Sequence, residues 1–214
     1  SITYGKITIV NLNKSREVLL MIKNIIFDVG GILFDDSKES IAKLLGKDST
    51  NIYKAAYGQD FKKCLLGKIT VQEHLSNLKS KPDFNDIKFI LTKEYLPKSY
   101  PLLEENFNYI KALKDKGYKL FLLTNITEDS YNYINETINI NSIFTDGIYS
   151  YQEHLIKPNP EIYELIIKRF NLNKNETIFF DDKEKNVKAA NETGLKSIVF
   201  TSLQDIKDNI NFKN

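Results

Sequence analysis

Four short segments of this 214-residue chain place carboxylates, an ammonium group and a hydroxyl where apolar runs end. Asp28 follows Ile25-Ile26-Phe27, Thr124 and Asn125 follow the run 120–123, Lys157-Pro158 stands before a helical pattern, and Asp181-Asp182 follow Ile178-Phe179-Phe180. A carboxylate can attack phosphorus and divide one hard displacement into two easier ones. Two carboxylates that face each other repel unless a cation lies between them, and Mg²⁺ takes carboxylate, carbonyl and phosphate oxygens in octahedral geometry. Lysine, a hydroxyl and backbone N–H groups can neutralise the equatorial oxygens of a transferring phosphoryl group. Metal-assisted phosphoryl transfer is the chemistry such a set could do if the four segments meet.

Their meeting depends on the elements that carry them. Apolar runs rich in Ile, Leu, Phe and Val, each bounded by polar turns, predict strands from residue 22 to Asp28, at 119–124, loosely at 142–149, at 177–180 and at 197–200. Strands of this kind are covered on both faces. Helical patterns at 102–116, 130–138, 160–170 and 185–193 alternate with them, and Gly117 and Gly194 stand where helix C-caps belong. The alternation predicts right-handed crossovers and an α/β fold: a doubly wound, Rossmann-like parallel sheet of about five strands, with ligands beyond the carboxyl ends of the strands. Residues 37–100 break the rhythm with successive helical patterns (40–45, 49–57, 61–66, 71–78 and 84–95) and no strand. They read as a helical insertion into a core formed by 21–36 and 101–214.

In their order along the chain these motifs resemble the haloacid dehalogenase superfamily, from residue 22 onward. The matching residues are Asp28 in Phe27-Asp28-Val29-Gly30-Gly31, Thr124 in Leu123-Thr124-Asn125, Lys157 in Lys157-Pro158-Asn159-Pro160, and Asp181-Asp182 in the run ending at Asn186. Any one motif is weak, and the ordered set is specific. The resemblance implies a Mg²⁺-dependent phosphatase with Asp28 as nucleophile, forming an aspartyl phosphate. Thr124, the backbone N–H of Asn125, and Lys157 would hold the phosphate. Asp28, the carbonyl of Gly30 and Asp182 would hold the metal, supported by Asp181 and by Asn186, which the helical repeat returns to the same side four residues after Asp182. The insertion at 37–100 resembles the superfamily's small mobile cap. A helix starting near 127–130 would turn its positive end toward the Thr124 loop.

One position departs from the superfamily's phosphatases, which usually carry a second aspartate two residues after the nucleophile as general acid. Gly30 stands there. Members similar to bacterial glucose-1-phosphatase share that glycine together with Phe-Asp-x-Gly and the Asp-Asp pair, so hydrolysis of a sugar phosphate or similar small phosphorylated metabolite is the expected activity. Asp35, Asp36 and His74 are candidates for the missing acid, and His154 stands three residues before Lys157. Two alternatives remain open: a dehalogenase, which needs no metal, and a catalytically quiet binding protein that kept the fold.

Each segment also has a plainer explanation. Asp181-Asp182 suits a helix N-cap, Pro160 suits a first helical turn, and both histidines suit surface or packing roles. Gly30-Gly31 lacks the Lys-Ser/Thr end of a nucleotide-binding loop. Aromatics at Tyr53, Tyr57, Phe61, Phe84, Phe89 and Tyr95 recur at packing intervals.

Composition narrows the class. Lys and Arg number 30 against 28 Asp and Glu, for a net charge of +2, and no dense basic block suggests a nucleic-acid partner. No apolar stretch has the length of a membrane span. The single cysteine, Cys64, forbids an internal disulfide and suits a cytoplasmic location. It reads as a buried thiol rather than a nucleophile. Residues 1–20 precede Met21 and are expected to be an upstream extension, with an added edge strand at 7–10 as the alternative.

Overall fold

The computed structural model describes residues 21–210, so the 1–20 extension and its alternative strand at 7–10 lie outside the described residues. Five strands, β1 (Asn24–Phe27), β2 (Lys119–Thr124), β3 (Asp146–Tyr149), β4 (Thr177–Asp181) and β5 (Ser197–Val199), form one sheet in the order β3-β2-β1-β4-β5. All of its pairings are parallel. The doubly wound sheet read from the alternation of patterns is therefore the fold.

Strand β1 shows why the runs are apolar throughout. Ile25 and Phe27 pack on one face of the sheet with Ile110 and Leu113 of α7 (Glu104–Asp115), Ile134 and Ile138 of α8 (Glu128–Ile138), and Ile206 of a C-terminal helix. Ile26 packs on the other face with Ile162 and Ile166 of α11 (Pro160–Arg169) and Ala190 of α12 (Glu184–Glu192). Side chains alternate along a strand, so a strand covered by helices on both faces needs apolar residues at every position.

The inserted segment carries α1 (Lys38–Leu45), α2 (Thr50–Ala56), α3 (Phe61–Leu65), α4 (Val71–Asn77), α5 (Phe84–Leu91) and α6 (Leu96–Ser99), with no strand among them. They share an apolar cluster of their own that includes Ile41, Ile52, Leu75, Ile87 and Ile90. Both connections to the core run side by side: Asp35 N–H donates to Pro101 O at 2.9 Å and Leu103 N–H to Leu33 O at 2.8 Å.

Several boundaries differ from the sequence reading for local reasons. The pattern at 84–95 breaks at Thr92, whose hydroxyl bonds Lys88 O at 2.6 Å and whose backbone turns extended; a 3₁₀ turn (Lys93–Tyr95) and α6 follow, with Pro97 in the first turn. The loose strand at 142–149 shortens to β3 because Asn139, at φ 48°, ends α8 and starts α9 (Ile140–Ile143). Two further short helices were not anticipated. One is α10 (Ser150–Glu153), and the other is α13 (Leu203–Asn209), which starts with a capping box of Ser202 and Asp205. Among the described residues no helix is long and apolar enough to cross a membrane.

Register brings the chemistry together. Phe27 lies opposite Leu122 on one side and Phe180 on the other, so the next residues, Asp28 and Asp181, emerge side by side. The chain passes from β1 to β2 and β3 on one flank, then returns to β4 on the other. That reversal opens a crevice at the carboxyl ends of β1 and β4.

Candidate active site

Asp28 leaves β1 with its N–H bonded to Phe180 O at 2.9 Å and its Oδ1 accepting the Val29 N–H at 2.7 Å. Asp181 ends β4, fully buried. One carboxylate oxygen from each of Asp28, Asp181 and Asp182 lies within 4.8 Å of the others. Between the first two stands Lys157, with Nζ 2.9 Å from Asp28 Oδ2 and 2.5 Å from Asp181 Oδ2. Asn186 reaches back from the first turn of α12 and donates to both oxygens of Asp181, at 3.0 and 3.1 Å. Lys183 holds Asp182 Oδ2 at 2.6 Å.

The glycines let these groups approach. Gly31 has φ +73°, and a Cβ on it would lie 2.6 Å from Asp182 Oδ2. Only glycine meets both demands.

Burial dominates the electrostatics. It lifts the Asp28 carboxyl to about 7, against the attraction of Lys157 and with Asp181 and Asp182 adding repulsion. Burial alone would push the Lys157 ammonium down, but Asp181 and Asp28 outweigh it and hold the ammonium above its ordinary value. Asp36 is also lifted, to about 6, by burial with repulsion from Asp182 and Asp35, against attraction by Lys183.

These residues fit a hard divalent cation. Three carboxylates converge, two ammonium groups balance them, and Asp182 Oδ1 is buried with no hydrogen-bond partner. The lone pairs of Asp181 are already occupied by Lys157, Asn186 and the Lys183 N–H. The open acceptor is therefore on Asp182, and oxygen donors of this kind suit Mg²⁺.

A cavity of about 380 Å³ opens over Asp28, lined also by Gly30, Asp36, Asn125, Lys157 and Asn186. Asp28, Gly30, Asn125 and Lys157 thus share one space. Thr124 is 2% exposed at the end of β2 and is not part of that lining; Ile126, Thr127 and Ser130 of the same loop and helix are. Asn125 has a part that its sequence position did not reveal. Its side chain accepts the Lys157 N–H at 2.8 Å and donates to Lys157 O at 3.0 Å, clamping the backbone that presents the ammonium. Ser150 does similar work on the neighbouring loop, accepting the Ile126 N–H at 2.9 Å.

The other candidates separate clearly. His74 is buried in the insertion with Nε2 2.9 Å from Ala56 O, and His154 sets Nδ1 2.8 Å from Leu66 O; neither lines the cavity. Asp35 caps its own turn, accepting the Ser37 N–H at 2.9 Å. Cys64 is buried with its thiol donating to Thr70 O, and burial pushes it up to about 11, which leaves it inert at neutral pH. Of the candidate acids only Asp36 reaches the cavity.

Residues 22–194 match the family model described as haloacid dehalogenase-like hydrolase. The chain belongs to this family. Among relatives of this hydrolase, the sesquiterpene phosphatase astK of Aspergillus oryzae is 28% identical over 180 residues, 84% of this chain and 90% of that one. A phosphorylated carbohydrates phosphatase of Thermotoga maritima is 26% identical over 195 residues, 86% and 88% of the two chains. The fold is also that of the HAD family enzyme bt-2542 from Bacteroides thetaiotaomicron, solved with magnesium and inorganic phosphate. That likeness has a TM-score of 0.66 and 21% identity, over 83% of this chain and 93% of that one. The chain is thus a member of this hydrolase family and carries the five-stranded parallel sheet of its solved neighbours.

Proposed function

We propose that the protein is a Mg²⁺-dependent hydrolase of a small phosphomonoester, a sugar phosphate or similar metabolite, that acts through an aspartyl phosphate on Asp28. The observation that carries this reading is Asp28 at the floor of a 380 Å³ cavity, paired with Lys157 and within reach of Asp181 and Asp182. The relatives' names span a carbohydrate and a sesquiterpene, so phosphate is the part they share.

Bound Mg²⁺, held by Asp28, the Gly30 carbonyl and Asp182 with Asp181 in support, would neutralise phosphate charge and bring the substrate to Asp28 without electrostatic repulsion. A carboxylate oxygen of Asp28 attacks phosphorus as the ester P–O bond breaks. Lys157 balances charge on the equatorial oxygens together with the Asn125 N–H, which shares its cavity. Asp36, protonated, gives its proton to the departing alkoxide. Water then attacks the phosphorus of the aspartyl phosphate, and the Asp36 carboxylate takes the proton that water releases. Helices 37–100 form the cap that closes over these steps and keeps bulk water out. The unshared oxygen of Asp182 favours this reading over metal-free dehalogenation, and Asp36 in the cavity favours catalysis over quiet binding. A cytosolic setting would keep Cys64 reduced.

Phosphate release from a phosphomonoester panel tests the reading. Release should require Mg²⁺ and vanish in Asp28→Asn. Undiminished activity in that variant, or halide release from a haloacid in the presence of chelator, would overturn it.

A further inference from the structure

Apart from the tyrosine hydroxyls, every polar side chain that lines the cavity, Asp28, Asp36, Asn125, Lys157, Lys183 and Asn186 among them, comes from segments outside helices α1 to α6. Helices α2 to α6 contribute Phe61, Leu65, Val71, Ile90, Leu91 and Leu96, with tyrosines in and beside them. The rings of Tyr53 and Tyr57 lie 4.7 Å apart and those of Tyr57 and Phe61 5.2 Å apart, forming a continuous aromatic ladder. Its hydroxyls are already engaged: Tyr53 donates to Asp36 O at 3.2 Å, and Tyr57 points at Ile90 O at 3.5 Å. Tyr100 closes the boundary, its ring 5.2 Å from Phe34 and its phenol held protonated by burial.

Such a wall discriminates between alcohols. Each hydroxyl of a polyol buried there without a partner would weaken binding by roughly ten- to a hundredfold. Each methylene buried against it would strengthen binding by up to about fourfold. We infer that the alcohol half of the substrate is predominantly apolar, an alkyl, prenyl or aryl group rather than a sugar or polyol. This rests on the phosphomonoesterase reading and keeps its chemistry, but replaces the sugar phosphate named there with an apolar ester. The phosphate would sit by Asp28 and Lys157, with the carbon chain running along the aromatic ladder toward Leu65 and Val71. At about 380 Å³ the cavity is of the size that ordinarily encloses a small organic ligand.

The test is phosphate release by the full chain with Mg²⁺ from a homologous series of straight-chain monophosphates, butyl to decyl, below their micelle concentrations. Pentitol and hexose monophosphates run beside them. The value of kcat/KM should rise about two- to fourfold per added methylene until the cavity is filled, with the octyl ester well above every polyol ester. A flat or falling series, or a polyol phosphate that equals the octyl ester, overturns the inference while leaving the phosphatase reading intact. No release from any ester overturns both. Leu65→Asn, at a half-buried wall position, should reduce kcat/KM for the octyl ester about tenfold and for the butyl ester less than about threefold. Equal losses for the two esters, in a variant whose urea unfolding midpoint matches the parent's, would count against the inference, because loss of folded enzyme is then excluded as their cause.

Discussion

A Cβ placed on Gly30 would come within 2.5 Å of Oδ2 of Asp36, so the Asp36 carboxylate occupies the place where a side chain at position 30 would begin. Gly30 thus removes one carboxyl group from the cavity and lets another in, eight residues along the chain from Asp28. The substitution that looks like a loss in sequence leaves an acid at the site.

Exchange of these two positions is directly measurable. Asp36→Asn should lower kcat/KM, which reports the step that expels the leaving group, by about 10² to 10⁴ for esters with alkyl leaving groups, the usual worth of general acid catalysis. With p-nitrophenyl phosphate, whose leaving group needs no proton, the loss in kcat/KM should be within about tenfold, while kcat falls for both because Asp36 also serves hydrolysis of the aspartyl phosphate. Gly30→Asp alone would collide with Asp36, whereas Gly30→Asp combined with Asp36→Ala should recover part of the alkyl-ester activity. Equal losses in kcat/KM for both leaving groups would remove Asp36 from the proton transfer.

Lys157 is 1% exposed in its side chain and bridges two carboxylates. Replacing it with Met removes the ammonium between Asp28 and Asp181 and leaves buried charge uncompensated, at a cost of about 3–5 kcal/mol. Urea unfolding of the metal-free protein gives that number. The double variant Lys157→Met/Asp28→Asn should regain part of the loss, because one of the stranded carboxylates is gone.

Asn125→Ala breaks both bonds that hold the Lys157 backbone. Leaving those groups unpaired should cost about 1–3 kcal/mol, and kcat should fall more than KM rises, because the displaced ammonium acts on the reacting phosphate. A variant that loses stability with unaltered kcat would show that the clamp serves the fold alone.

Strand-end chemistry was legible because it is local: an apolar run fixes a strand, and the residue after it must emerge at the sheet edge. Asp28, Asp181 and Asp182 could be placed in that way, and the reversal of strand order then set them together. What the sequence did not reveal depends on which long side chains cross a space. Asp36 was one of several acids near the insertion, and only the fold returns it to Gly30 while drawing His74 into the helical cluster and turning Asp35 onto Ser37. The Asn125 clamp likewise joins residues 32 apart through a side chain, a contact no periodicity announces. Helix α13 is different, since its Ser202 and Asp205 box was readable from spacing alone.

Asp28 links catalysis, metal and stability through one proton. In the metal-free protein burial lifts its carboxyl to about 7 from an ordinary 3.8. Between those pH values the unfolded chain has released this proton while the folded chain retains it. The unfolded state then binds fewer protons, so stability falls as pH rises from about 4 to about 7 and levels off above that. Asp28→Asn removes the penalty. In chelator at pH 8 the variant should unfold later than the parent by at least about 1 kcal/mol, and at pH 4 the difference should disappear. Added Mg²⁺ should stabilise the parent, by about 2.7 kcal/mol at a hundred times its dissociation constant, and should act far more weakly on Asp28→Asn and on Asp182→Ala. Thermal melts across pH with and without Mg²⁺ read all of these outcomes. A parent stability that rises between pH 4 and 7 in chelator would show that Lys157, rather than burial, governs the charge on Asp28.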